Sequence, residues 1–218
     1  MKNWLKKMLR INDGEVDPAM NQAPSLLKAT ALSEENIGLF KWDSNHNDHL
    51  LVFSKDEQTV EWIPNNPKFK GKYAAAYVPA LTRSQLHSGR YSWDFVIEEM
   101  AHAQIGIGFM LQWDIGPDWG FFGYLGASTS AWSYDPSSGD IVNNTKSIKG
   151  GLPKFEDGRQ GVVTVRLNLP REAKGEAQFI VNGVDTPLIE LPESSVIIPA
   201  ACLLKETQKV TLTNFERV

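Results

Sequence analysis

Ser88-Gly89-Arg90-Tyr91-Ser92-Trp93-Asp94-Phe95-Val96-Ile97 decides the fold class. A glycine turn opens a run in which Tyr91, Trp93, Phe95 and Ile97 alternate with Ser92, Asp94, Val96 and Glu98. A period of two puts the aromatic set on one face of a strand and the polar set on the other. The next apolar run places Ala103, Ile105, Ile107 and Phe109 on one face, with Gly106 and Gly108 on the opposite one. Glycine in a strand interior marks a close approach of other backbone. Two adjacent strands with this much aromatic mass on one side call for a second apolar layer, as in an all-β sandwich.

The rest of the chain repeats the pattern. From residue 37 onward the strand candidates are 37–42, 50–54, 59–63, 72–78, 91–98, 103–111, 121–125, 131–134, 140–143, 161–169, 176–181, 197–204 and 209–215. Asn182-Gly183 is a strong hairpin signal, and Asp135-Pro136-Ser137-Ser138-Gly139 closes a second hairpin. Strands this numerous, without helical crossovers, predict a two-layer antiparallel β-sandwich over residues 37–218. Residues 1–36 are expected to form a short helical extension and linker. Trp4, Leu5, Met8 and Leu9 share one helical face, while Lys2, Lys6 and Arg10 lie away from it. Such a basic amphipathic helix docks on protein or, less favoured here, lies on an anionic membrane surface.

Composition narrows the function. The 218 residues carry a net charge of −4, 42% hydrophobic and 22% charged residues, which suits a globular domain and argues against a general nucleic-acid binder. A single cysteine, Cys202, leaves no internal disulfide and fits a reducing, cytoplasmic setting. It lies in an apolar run and reads as a buried small hydrophobe. No run reaches the ~18 apolar residues of a membrane span, and the N-terminus lacks a secretory apolar core.

Motifs of catalysis or cofactor binding are missing. His46 and His49 form the one close histidine pair, which without a second cluster reads as a polar loop and not a metal site. Gly106 and Gly108 have strand on both sides, so no helix N-terminus follows to receive a phosphate. Glu98 and Glu99 face opposite sides of a strand and form no acid–base pair alone. No GxSxG elbow is present. Asp114 and Asp118 fall short of the six to eight oxygens of a calcium site. The expectation is a non-enzymatic chain without metal or cofactor. The stretch 111–122 is loop-like in its Gly-Pro content yet holds Trp113, Trp119, Phe121 and Phe122, which serve either as partner anchors or as a lid on the core.

Four segments, taken in order, resemble the SPRY domain, a concanavalin-like β-sandwich. They are LHSGRYSWDFVIEE at 86–99, AHAQIGIGF at 101–109, YLGASTSAWSYDPSSGDIVNN at 124–144, and the stretch from FIVNG through PAACLL to LTNF at 179–215. The resemblance extends from about Trp42 to Phe215. DHLLVFSKDEQTVEW at 48–62 and IPAACLLKETQKVTL at 198–212 look most like members that recruit substrates to ubiquitin ligases. In that subgroup loops at one end of the sandwich hold a peptide. By position the resemblance implies Pro64, Asn65 and Asn66, then Ala101, Phe121, and Leu204, Lys205 and Glu206; Trp119 joins this set from the aromatic loop next to Phe121. The chain departs from the subgroup at Lys205-Glu206, where relatives carry Trp-Gly, and at Phe121, where they carry Tyr. It ends at Val218 with no ligase-recruiting box. The implied function is protein or peptide binding, with a lectin-like carbohydrate-binding domain as the alternative.

Overall fold

The computed structural model describes residues 40–44, 51–62, 78–81, 86–99, 105–111, 125–155, 160–203 and 208–217. These form fourteen strands and no helix. In chain order they are β1 (Leu51–Phe53), β2 (Thr59–Trp62), β3 (Val78–Leu81), β4 (Gly89–Glu99), β5 (Gly106–Leu111), β6 (Ala131–Asp135) and β7 (Asp140–Asn143). They continue as β8 (Lys146–Lys149), β9 (Gly161–Leu169), β10 (Lys174–Val181), β11 (Val184–Asp185), β12 (Ile189–Glu193), β13 (Ile197–Leu203) and β14 (Lys209–Arg217).

Every pairing is antiparallel, and the strands divide into two sheets. The larger has the order β1-β2-β14-β4-β9-β10-β11, with β12 also paired to β10. The smaller has the order β3-β13-β5-β6-β7-β8. Their inner faces form one core. Tyr91, Trp93, Phe95 and Ile97 of β4 are buried in it, as the alternation requires, together with Ile107, Phe109, Trp132 and Tyr134 from the smaller sheet. Trp93 and Phe95 meet edge-on at 6.1 Å, and Phe109 stacks on Trp132 at 5.4 Å and on Phe179 at 5.7 Å. The two-layer sandwich expected from the sequence is the one observed.

Local chemistry explains several connections. Asn182 and Gly183 both take positive φ, 46° and 81°, giving the twist that a two-residue hairpin needs. Asp135 Oδ1 accepts the Ser137 N–H at 2.9 Å and the Ser137 hydroxyl at 2.6 Å, and fixes the next turn. Gly108 confirms a close approach. A Cβ there would lie 2.1 Å from the Trp132 carbonyl oxygen, so the neighbouring β6 backbone is what excludes a side chain. A second buried cluster, Met110, Leu125, Ala131, Ile198, Ala200 and Cys202, forms on the outer face of the smaller sheet. Cys202 is fully buried there. Its sulfur accepts the Leu125 N–H at 3.1 Å, and burial pushes its thiol up to about 12, so it is a packing residue and no nucleophile.

Some sequence expectations need correction. Residues 40–44 contain no strand; Trp42 instead donates its backbone N–H to the Glu57 carbonyl at 2.9 Å. Leu125 sits in a turn and not a strand. β13 is described through Leu203, and the expected last residue, Leu204, lies outside the described residues. Three strands are additional: β8, β11 and β12. The expected 72–77 portion of one strand, the helix at 1–10 and the His46–His49 pair lie outside the described residues.

Candidate functional site

The strand registers fix which chain ends lie together. In the larger sheet Lys209 pairs with Glu61 on one side and with Glu99 on the other, and the Trp62 N–H donates to the Gln208 carbonyl at 3.1 Å. The last residues of β2 and β4 and the first of β14 therefore share one end. In the smaller sheet Cys202 pairs with Gly106, and Leu203 with Val78. The first residues of β3 and β5 and the last of β13 likewise share one end. Segment 63–77 joins β2 to β3, 100–105 joins β4 to β5, and 204–208 joins β13 to β14. All three cross from one sheet to the other, and their flanks converge at the same end of the sandwich.

Pro64, Asn65, Asn66, Ala101, Leu204, Lys205 and Glu206 belong to these crossings but lie outside the described residues. Trp119 and Phe121 also lie outside them. Their segment, 112–124, starts after Leu111, which pairs with Ile197 at the far end of the smaller sheet. It finishes before Leu125, whose N–H reaches Cys202 at the converging end. Phe121 is thus four residues from a described anchor at that end.

The described residues beside the crossings are firmly held. Trp62 and Gln208 are buried. Lys209 Nζ lies 2.9 Å from Glu98 Oε2, and the Thr211 hydroxyl donates to the other Glu98 carboxylate oxygen while contacting the Thr59 hydroxyl at 2.8 Å. Partial burial opposes ionisation of Glu98, but the Thr211 hydrogen bond and the Lys209 ammonium outweigh it and hold its carboxyl below the usual range. A carboxylate tied up in this way stiffens the strand ends and is no free general acid. Asp94 is similarly occupied by the Thr164 hydroxyl and, at 2.7 Å, by the Asn214 amide. Among the described residues no three His, Cys, Asp or Glu side chains are placed to hold a metal, and no helix is long and apolar enough to cross a membrane. Sequence reading missed this Glu98–Lys209–Thr211–Thr59 ladder, because its members come from three strands whose register is invisible in the chain order.

Comparison with solved structures decides the fold family. The SPRY domain of human HERC1 matches with a TM-score of 0.57 at 14% identity, covering 79% of this chain and 97% of that one. The chain has the SPRY-domain fold. A human SPRY domain matches at 0.55 and 14% identity, covering 75% of this chain and 94% of that one. The TRIM65 PSpry domain matches at 0.57 and 14% identity, covering 85% and 97%. Neither a family model nor a curated protein sequence matches the chain.

Proposed function

We propose that this SPRY-fold chain is a non-enzymatic protein-interaction module, spanning about residues 37–218, that holds a peptide or exposed loop of another protein. The observation that carries the reading is that the described flanks of three sheet-crossing segments share strand ends in each sheet, on strands fixed by a common core. Loops on a rigid scaffold are where recognition concentrates, because their sequences vary without cost to the core. The resemblance to substrate-recruiting SPRY domains assigns the contact residues as Pro64, Asn65, Asn66, Ala101, Phe121, Leu204, Lys205 and Glu206, and the aromatic loop adds Trp119. Phe121 supplies apolar contact area. Lys205 and Glu206 supply a charge pair in place of the relatives' Trp-Gly, which selects a more polar ligand than theirs. Glu98 and Asp94 are engaged in ties between strands, and the reading includes no turnover and no cofactor. The carbohydrate alternative rests on Trp119 alone and gains nothing from the described residues.

The test uses the full chain as bait, with captured proteins identified by mass spectrometry and re-expressed for titration. Phe121→Ala and Lys205→Ala are each expected to weaken a captured partner about tenfold or more, the usual effect of removing an interface anchor. Arg166→Gln, on the exposed face of the larger sheet and away from those loops, should leave that affinity unchanged. Unchanged binding in both loop variants overturns the assignment.

A further inference from the structure

The opposite end of the sandwich carries its own feature. Gly89 pairs with Leu169, and Arg217 pairs with Tyr91, so the start of β4 and the ends of β9 and β14 share that rim. A cavity of about 490 Å³ opens there, and Arg90, Arg171 and Arg217 all line it. An adjoining cavity of about 300 Å³ is lined by His87, Ser194 and Ser195. The two share Ser88, Pro170 and Arg171 as a common wall. Among the described residues no aspartate or glutamate lines either one. In a chain of net charge −4, three guanidinium groups around one hollow, with no acid in its described lining, are a concentrated local field of the opposite sign.

The arginines are available. Arg90 and Arg171 are exposed, and their side chains have no ion-pair or hydrogen-bond partner among the described residues. Arg217 is already positioned: its guanidinium lies 5.7 Å from the centre of the Tyr91 ring, and one of its nitrogens is 3.5 Å from the Ser88 carbonyl. The Tyr91 hydroxyl braces the same turn by donating to the His87 and Ser88 carbonyls at 2.9 and 3.0 Å. Guanidinium forks match tetrahedral oxyanions, and a phosphate monoester presents three acceptor oxygens with close to two negative charges.

We propose that this rim is a second binding site, which takes a phosphorylated segment of a partner protein, with the phosphate among Arg90, Arg171 and Arg217 and a flanking residue in the His87–Ser194–Ser195 hollow. Two adjoining hollows, one basic and one polar, suit an extended peptide carrying a single discrete anion. A nucleic-acid backbone or a lipid surface fits less well, because Glu172, Glu193 and Glu216 stand next in sequence to the lining residues and would meet any broad polyanion. The site is independent of the loop end and of the function proposed for it.

The test pairs two degenerate peptide libraries, one with a central phosphoserine or phosphothreonine and one unphosphorylated, offered to the full chain at physiological salt. The phosphorylated library should be retained selectively. Individual selected peptides should bind Arg90→Gln and Arg171→Gln about tenfold or more weakly, the effect of losing a charge-assisted hydrogen bond. The variants should melt as the unmodified chain does, and binding should weaken further as salt is raised. Equal retention of the two libraries overturns the proposal, as does unaltered affinity in the Arg90→Gln/Arg171→Gln double variant. Displacement of the peptide by inorganic phosphate at peptide-like concentrations also overturns it, since the segment would then contribute nothing. So does Arg171-dependent binding to phosphatidylserine vesicles or duplex DNA without phosphopeptide binding, which would reassign the rim.

Discussion

The two sheets bury their outer faces differently. β9 of the larger sheet alternates strictly: Val163, Val165 and Leu167 are buried, while Val162 and Arg166 are exposed. β5 and β13 of the smaller sheet are buried at every position. The larger sheet therefore has one solvated face, spanned by polar ladders such as Asp94 with Thr164 and Glu98 with Thr211. The smaller sheet has two packed faces, and its outer one mixes small residues such as Gly108, Ala131, Ala200 and Cys202 with Met110, Leu125 and Ile198. Neither broad face offers a partner a large apolar surface. The proposed recognition sites therefore fall at the ends of the sandwich, where chain crossings and turns gather.

That contrast can be broken by substitution, beginning with the core that both sheets share. Trp93→Ala should cost about 4 kcal/mol by denaturant unfolding, since it removes a fully buried indole between Phe40 and Phe95. Trp93→Phe should cost much less. The indole N–H of Trp93 is buried without a hydrogen-bond acceptor, and phenylalanine removes that unmet donor along with some volume. A loss from Trp93→Phe as large as that from Trp93→Ala would contradict this account of the core.

The next effect separates the two outer faces. Gly108→Ala should cost about 3 kcal/mol, because the new methyl meets the Trp132 carbonyl and the Ser133 Cα, both backbone atoms that cannot move aside cheaply. Val162→Thr, on the solvated face of the larger sheet, should stay within about 0.5 kcal/mol of the parent. Similar losses from these two substitutions would erase the distinction between a doubly packed and a singly packed sheet.

The smallest effect is acidic. Glu98 is held below its ordinary range in the folded state, so its interaction stabilises the fold above the unfolded glutamate value and is lost as pH falls through the lowered one. Lys209 and Glu98 are both partly solvated, which limits the contribution to about 1 kcal/mol or less. Glu98→Gln should therefore flatten the acid limb of stability against pH slightly, with no change at neutral pH beyond that amount. An acid limb identical to that of the parent chain would remove Glu98 from the account.

Legibility in the sequence followed the same division. The bounds of β9, 161–169, can be read directly from its alternation, and the Asn182-Gly183 hairpin from its turn chemistry. β8, with Lys146, Ser147, Ile148 and Lys149 all exposed, gives no hydrophobic period, because an edge strand outside the core needs none. Its hairpin turns on Asn144 and Thr145, both at positive φ, without the glycine that usually announces such a turn. β12 carries Pro192, which argues against a strand until its position beside β10 is seen. The proposed binding end was legible only through resemblance, since periodicity identifies faces and says nothing of which strand ends meet. The arginine rim was hidden for the same reason. Arg90, Arg171 and Arg217 are far apart in the chain, and antiparallel register alone brings them around one cavity.

The most direct test of the central claim is hydrogen–deuterium exchange on the full chain, free and bound to a captured partner. Partner binding should slow exchange in 63–66, 101–104, 119–124 and 204–207 together, while β9 and the exposed face of the larger sheet stay unchanged. Protection confined to that face, or to the edge strand β8, with no change in those four segments, would contradict the placement of the binding surface at the sheet-crossing end.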